Sequence, residues 1–392
     1  MATATSSSFR LPRWLATALP FLAILAMVGA FLLWDPASTL RTIPPIETVA
    51  VERTVFTPGE IKLDLRNDGP DEVRIAQVIV NDAYWNFTLD DPALGRLETG
   101  ELRIPYPWEA GLPVKVAMLT STGVTIEHEV EAAAMTPEAD AKTYWIYALL
   151  GLSIGVIPVA IGLLWFPALR RLSADWLGFF LAFTVGLLAF LLVDTIAEGF
   201  EIAAETAAVL NGIGLFAIGA LLAVAVLTWF EGWLQGRTKS GVTGGLALSY
   251  LIATGIGLHN MGEGLAVGAA LAAGEAALGT YLILGFALHN TTEGLAIVAP
   301  LGGEARRPHL GHFAAMGLIA GLPTVAGAWI GGFAFSPALA ALEFGVAAGA
   351  IGQVVWKISG GLSRTRSASG GLRAAGFASG LVVMYATGLL AA

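Results

Sequence analysis

Long apolar runs separated by short polar connections fill most of the chain, and one segment between residues 41 and 140 breaks that pattern. A helix needs about 20 apolar residues to cross a hydrocarbon core of ~30 Å. The first run, from about Trp14 to Trp34 behind Arg10 and Arg13, meets that length. It reads as a signal anchor rather than a cleaved peptide, because it is long and leads into Trp34-Asp35-Pro36 without a small-x-small cleavage site. After Lys142 eight further spans are predicted, near 144–167, 175–200, 211–234, 245–272, 276–301, 310–334, 338–358 and 372–391. In the intervening segment, apolar and polar residues alternate in Ile61-Lys62-Leu63-Asp64-Leu65 and in Val73-Arg74-Ile75-Ala76-Gln77-Val78. Turn signals at Pro58-Gly59, Asn67-Asp68-Gly69-Pro70 and Asp90-Asp91-Pro92 separate these runs, which predicts a small immunoglobulin-like β-sandwich. The expected organisation is a cytoplasmic tip and anchor over 1–40, an extracytoplasmic all-β sandwich over 41–140, and an all-α polytopic membrane domain over 141–392.

Composition strengthens the membrane reading. Of the 392 residues, 56% are hydrophobic and 13% charged, against ~25% charged in a soluble domain. That excludes a single water-soluble enzyme. The 48 glycines suit close helix packing in lipid. With no Cys there are no disulfides, thiolate zinc sites or cysteine nucleophiles, and five His remain as nitrogen ligands. The net charge of −9 argues against nucleic acid as a partner.

The placement of charge orients the chain, since short cytoplasmic loops carry the Lys and Arg. With the N-terminus inside, the inner connections hold Arg170/Arg171, Arg237/Lys239, Arg306/Arg307 and Arg364/Arg366, flanked by Lys357 and Arg373, while the short outer loops hold none. The sandwich and the C-terminus are then expected outside, in a multi-pass protein of the inner or plasma membrane. Between Arg41 and Lys142 there are 18 acidic residues against 9 basic ones, so the membrane part is neutral. That acidity either raises the local cation concentration or is an ordinary solvated surface. Trp145, Trp165, Trp176, Trp229, Trp233 and Trp356 fall near span ends, where an interfacial belt belongs.

The candidate chemistry is a repeat. Leu258-His259-Asn260-Met261-Gly262-Glu263-Gly264-Leu265-Ala266 recurs as Leu288-His289-Asn290-Thr291-Thr292-Glu293-Gly294-Leu295-Ala296, each near the middle of its span. His and Glu at i and i+4 share one helix face, and a short loop makes the two helices antiparallel neighbours. Four ionisable groups at one depth cost at least ~2.5–3.5 kcal/mol each at a bilayer centre, so they require a partner, and a cation supplies one. Imidazole nitrogen with carboxylate oxygen is a zinc or iron donor set, to which Asn260 and Asn290 add amide oxygens. Gly264 and Gly294 are assigned to close packing. A second feature is the acidic stripe Asp194, Glu198, Glu201 and Glu205 at i, i+4, i+7, i+11, which descends from the outer mouth. A solvated helix end accounts for Glu201 and Glu205 more easily than for Asp194. His309 and His312 stand at the inner mouth of the sixth span, either as an exit for an ion or as an interfacial pair. His128 is the lone His of the sandwich, which excludes a blue-copper site there, and Asn86-Phe87-Thr88 fits a glycosylation sequon.

The paired H-N-x-x-E-G helices, the eight-span core and the acid-bearing second span resemble the ZIP (Zrt/Irt-like) family of divalent-metal transporters, in particular its bacterial GufA-like branch, over about residues 144–392. The resemblance implies an eight-helix bundle and a midplane metal site lined by His259, Asn260, Glu263, His289, Asn290 and Glu293, with Glu263 and Glu293 able to bridge two ions. It suggests a homodimer. Transported Zn2+, or Fe2+ or Mn2+, would be substrate, and no prosthetic group is expected. Three departures stand out. The family's Leu-Pro-Glu-Pro in span 6 is here Leu322-Pro323-Thr324-Val325, the acidic end of span 7 is Val354-Val355-Trp356-Lys357, and the His-rich loop between spans 3 and 4 is reduced to a few residues around Arg237 and Lys239.

The expected function is therefore metal transport by alternating access, not enzymatic catalysis. A membrane di-metal oxidase would also gather His and Glu between helices, but such enzymes use Glu-x-x-His where this chain has His-x-x-x-Glu. A zinc protease lacks its His-Glu-x-x-His here. A metal sensor without transport, its sandwich binding a partner, is the remaining alternative.

Overall fold

The computed structural model describes residues 13–34, 46–236, 244–273, 276–364 and 370–389. The expected inner-loop residues Arg237, Lys239 and Arg366 and the anchor's Arg10 lie outside them. The chain divides into two compact units, Met1–Ile46 and Glu47–Ala392. In the first, helix α1 covers Arg13–Trp34, whose 22 residues rise ~33 Å at about 1.5 Å per residue.

The second unit begins with two four-stranded antiparallel sheets. Strands β1 (Val49–Thr57), β2 (Glu60–Asn67), β6 (Thr99–Ile104) and β5 (Thr88–Leu89) make one, and β4 (Ala83–Trp85), β3 (Ile75–Val80), β7 (Val114–Thr120) and β8 (Thr125–Val130) the other. Alternation does what the sequence pattern required. On β2, Ile61, Leu63 and Leu65 are buried while the residues between them are partly exposed, and they share one core with Val78, Val80, Val116 and Met118 of the other sheet. The expected turn at Pro58-Gly59 joins β1 to β2, with Gly59 at φ +74°, in the left-handed region that glycine tolerates. The β3–β4 hairpin turns on Asn81 and Asp82, both at positive φ, as its two-residue loop requires.

The rest of the unit is helical. Six of the described helical segments are long and apolar enough to cross a membrane: Ala141–Leu169, Ala174–Glu205, Ala208–Trp233, Gly279–Gly303, Leu310–Ala334 and Pro337–Leu362. The individual helices are α2 (Ala141–Gly151), α3 (Ile157–Leu163), α4 (Phe166–Leu169), α5 (Ala174–Glu205), α6 (Gly212–Gly236), α7 (Gly244–Ala272), α8 (Ala276–Val298), α9 (Leu310–Gly321), α10 (Pro323–Ala334), α11 (Pro337–Arg364) and α12 (Gly370–Gly388). His259, Asn260 and Glu263 lower the apolarity of α7, and Arg373 with several glycines does so in α12, yet both pack within the same bundle. The pairings are α7 with α10, α6 with α11, α5 with α12 and α3 with α8.

Two of the expected spans are irregular. The first is interrupted by a π-helical turn, Leu152–Val156, between α2 and α3. Pro158 follows it and has no N–H to return to the carbonyl of Ile154, which would be its acceptor in an α-helix. The sixth breaks between α9 and α10, where Pro323 interrupts the ladder and Val325 N donates instead to Leu322 O at 3.0 Å. The second expected span is longer than its apolar run, because α5 continues as helix through Glu205.

Sandwich and bundle are tied together by polar contacts. The Arg53 guanidinium donates to Phe333 O at 2.6 Å. Asp68 accepts from the backbone N–H groups of Ala208 and Val209 at 2.7 and 2.6 Å, capping the turn before α6. Beside Arg53 lies a cavity of about 620 Å³, lined by Arg53, His128 and Thr136 from the sandwich side and by Glu198, Glu205 and Leu265 from the helices.

Candidate metal centre

Helices α7 and α8 bring the two sequence repeats to one buried point. His259, Asn260, Glu263, His289, Asn290 and Glu293 are each 6% exposed or less. The rings of His259 and His289 lie nearly parallel, 6.0 Å apart. Between them sits the Glu263 carboxylate, whose Oε1 is 3.5 Å from His259 Nε2 and 2.5 Å from His289 Nε2. His289 Nε2 is 3.9 Å from Glu293 Oε1. One ligand atom each from His259, His289 and Glu293 falls within 4.8 Å of the others, so these three form a buried group able to hold a metal ion.

The glycines of the repeat serve the approach of these helices. A Cβ on Gly264 would collide with the Thr324 carbonyl of α10, and one on Gly294 would lie 2.7 Å from Cα of Gly162 on α3. Small residues are what permit such backbone contact.

The amides of both Asn side chains have fixed orientations. Asn290 Nδ2 donates to Ile154 O at 3.0 Å and to Glu263 Oε2 at 2.7 Å. The first acceptor is the carbonyl that Pro158 leaves free. Asn260 Nδ2 donates to Ala320 O at 3.1 Å, one turn before the Pro323 break. With the NH2 groups committed to backbone carbonyls, both Oδ1 atoms are left as acceptors, and neither has a partner. His259 is oriented by a residue on α5. Thr195 Oγ1 donates to Leu191 O at 2.7 Å, so its lone pair faces His259 Nδ1 at 3.3 Å. The ring must then donate from Nδ1, which leaves Nε2 as a lone pair directed at the site.

The result is a concentration of unpaired electron-donor atoms. Asn260 Oδ1, Asn290 Oδ1 and both Glu293 oxygens are buried without a hydrogen-bond partner, and Glu263 Oε1 stands against the Nε2 atoms of both histidines. Among the described residues no Lys or Arg forms an ion pair with Glu263 or Glu293; histidines are their ionic partners. Buried carboxylates in that state are costly, and nearly every unpaired atom here is of a kind that binds a cation. Zn–N and Zn–O bonds of about 2.0–2.1 Å in a tetrahedron place ligand atoms ~3.3 Å apart. The 3.5 Å pair already fits, and the 2.5 Å pair has to open by about 0.8 Å.

The remaining expected site residues fall elsewhere. Asp194 is exposed on α5, and Glu198 lines the sandwich-side cavity together with Glu205. Neither joins the three-residue group. Thr324 is fully buried with Oγ1 unpartnered, packed on the π turn at Gly155. His309 caps the start of α9 by accepting from Gly311 N at 3.1 Å, and His312 Nδ1 lies 2.9 Å from the Tyr250 hydroxyl, so both are engaged locally. Lys357 is paired with Glu231 of α6 at 2.6 Å. Thr195 and Glu343 were not singled out by spacing. Glu343 on α11 is 5% exposed, and both of its carboxylate oxygens lack a partner. A signal for Glu343 did exist, since it is the one acid in α11.

No family model matches the chain, and no curated protein matches it. Among solved structures, the archaellum periplasmic stator protein FlaG from Sulfolobus acidocaldarius is similar over 21% of this chain and 99% of its own, at 12% identity and a TM-score of 0.20.

Proposed function

We propose that the chain is a transporter of divalent metal ions, of the ZIP kind, which passes Zn2+, or Fe2+ or Mn2+, through the His/Glu/Asn centre of α7 and α8. The observation that carries the reading is the convergence of His259, His289 and Glu293 on one buried point, beside two Asn and two Glu293 oxygens that have no partner. A cation entering that point gains two imidazoles and up to two carboxylates.

In this reading α2 to α12 form eight membrane passes, with α2–α4 and α9–α10 each counted as one. The Lys and Arg of the connections between them support an orientation with the sandwich and the C-terminus outside. Irregular backbone at the depth of a transported ion is tolerated where it is buried in protein. The π turn and the Pro323 break both adjoin the centre, and each has a carbonyl held by a site Asn. Two helix interruptions beside one ion site offer a natural place for the bundle to flex between outward and inward access.

Metal uptake into proteoliposomes containing the purified chain tests this. His289→Ala and Glu293→Gln are expected to reduce Zn2+ flux at least ~10-fold while the protein inserts normally, since each removes a ligand. Flux within twofold of wild type in both variants refutes the reading. A sensor without transport would bind metal yet show no flux in the wild type.

A further inference from the structure

The sandwich meets the bundle through contacts of two unlike kinds. On one side it is tied repeatedly to α2 and α10. Thr136, in the segment that leads into α2, donates its N–H to Phe56 O and accepts from Phe56 N at its hydroxyl, both at 3.0 Å. Arg53 of the same strand, β1, donates to Phe333 O at the end of α10. Those two helices are fastened to each other in turn, with Trp329 Nε1 donating to Tyr144 O at 3.0 Å and the Tyr144 and Phe333 rings 4.3 Å apart. On the other side the contact is made by Asp68, which accepts from Ala208 N and Val209 N in the turn between α5 and α6. Helix α10 packs on α2 and α7, whereas α5 and α6 both pack on α11. The sandwich therefore bridges two parts of the bundle, attached to one by its own chain and held to the other by the Asp68 carboxylate.

The presentation of Asp68 is built into the sandwich. Asn67 beside it is fully buried, and its amide donates to Asp71 O and Leu94 O at 2.7 and 2.8 Å while accepting from Gly69 N at 2.8 Å. The N–H groups of Asp68 and Gly69 both donate to Thr48 O, at 2.8 and 3.1 Å. This loop is fixed without help from the bundle, so letting go of Ala208 and Val209 breaks two hydrogen bonds and unfolds nothing. A contact of that kind suits relative motion of two packed parts. The cavity beside the bridge is walled by both, with Ile202 and Glu205 from α5 and Leu265 and Ala269 from α7. Leu265 is two positions from Glu263, so the cavity descends along α7 to within one helical turn of the centre.

We propose that the sandwich is a clamp across the bundle, anchored on α2 and α10, and that Asp68 is its latch, which lets go of the α5–α6 turn when the cavity opens to admit an ion. Its purpose rests on the transport reading, whereas the latch itself is a mechanical device that exists without it. Holding the two parts at a fixed separation keeps the cavity walls together, so the closed latch restrains ion entry and its loss speeds it.

The test uses the full-length chain, whose lack of Cys lets introduced thiols report alone. Spin labels on Tyr84→Cys in the sandwich and Ile213→Cys in α6, positions 70% and 63% exposed, measure the latched separation in liposomes by pulsed electron paramagnetic resonance. Labels on Tyr84→Cys and Trp145→Cys of α2 measure the anchored one. Asp68→Ala is expected to broaden or lengthen the first distance distribution, leave the second as it is, and raise Zn2+ flux at least about twofold. Oxidation of an Asp68→Cys, Ala208→Cys pair to a disulfide should fix the latch and lower flux at least about tenfold, with reductant restoring it. A first distribution that Asp68→Ala leaves unchanged overturns the latch, and so does equal broadening of both, which would mean that the sandwich has loosened as a whole. Unaltered flux in Asp68→Ala, or full flux through the disulfide-locked chain, overturns the restraint on entry. If wild type carries no Zn2+, the transport reading fails while the two distance distributions still decide the latch.

Discussion

Thr195→Val probes the orientation of a ligand without touching the ligand. The substitution keeps the branched shape and volume of a fully buried residue, 1% exposed, and removes only the hydroxyl. In the native chain that hydroxyl gives its proton to Leu191 O and accepts from His259 Nδ1, which keeps Nε2 free for a cation. With valine, Nδ1–H loses its acceptor, and the alternative tautomer places the proton on Nε2 where the ion should sit. A neutral hydrogen bond contributes about 1 kcal/mol, some fivefold in affinity, and loss of a partner behind a metal-bound His costs ~10–100-fold. The 3.3 Å separation is long for such a bond, so an effect near tenfold is expected. Chelator competition on the purified protein measures the Zn2+ dissociation constant, and circular dichroism checks the fold. Thr195→Ser, which restores the acceptor, should recover most of the affinity. If Thr195→Val binds Zn2+ within twofold of wild type, then Thr195 does not set the tautomer, and the assignment of Nε2 as the ligand atom fails with it.

Packing and the sandwich yield two further expectations. Gly264→Ala should lower the thermal midpoint in detergent by an amount equivalent to about 1–3 kcal/mol, because its Cβ meets the Thr324 carbonyl, a backbone atom that cannot rotate away; Gly232→Ala, with nothing within 4 Å, should leave the midpoint unchanged or raise it, and equal midpoints for the two variants would show that the α7–α10 approach is not tight. His128, hydrogen-bonded to Thr54 at 2.8 Å, has its pKa pushed down by burial, so the unfolded chain takes up the proton first as pH falls below about 6.5; the stabilisation is present above that pH and is lost below it, and a His128→Gln chain should show a smaller drop in thermal midpoint between pH 7.5 and 5.5 than wild type, with an identical drop counting against the idea.

Much of this architecture is legible in the sequence for simple physical reasons. Period-two alternation in Ile61–Leu65 sets the buried face of β2, and the Pro58-Gly59 turn supplies the positive φ its hairpin needs. The repeat at 259–263 and 289–293 was visible because four ionisable groups in apolar helices have no ordinary use, and the structure gathers His259, His289 and Glu293 into one buried group. Other parts were not legible because they depend on pairings between distant helices. Nothing in the local pattern marks Thr195 as the partner of His259, since that contact is made across 64 positions of chain. Glu343 carried a signal in its isolation, yet its place beside Gly262 exists only once α7 and α11 pack. The acidic stripe was read as a single descending face, whereas burial sets one member apart: Asp194, Glu201 and Glu205 are exposed and Glu198 is half-buried, with Glu198 and Glu205 lining the cavity.

The two helix breaks explain why the centre needs asparagine as well as histidine and glutamate. A proline within a membrane helix leaves a carbonyl without its donor, and in a bilayer that deficit has to be met by protein. Pro158 creates such a carbonyl at Ile154, and Asn290 meets it. Pro323 interrupts the chain beside Ala320, and Asn260 donates there. At Ile154 the amide nitrogen meets the carbonyl that the proline leaves free, at Ala320 it meets a carbonyl one residue beyond the one Pro323 leaves, and in both side chains the amide oxygen is left unpaired. Aspartate at either position is acceptor-only when ionised and would leave the carbonyl unmet, and leucine would repair nothing. The same side chain thus stabilises a break in one helix and presents an oxygen from another, so movement at the π turn or at the Pro323 junction changes the donor set at the centre directly. Two hydrogen bonds from two asparagines thus tie helix geometry to the donor atoms of the centre, the kind of coupling that the proposed alternating access would need.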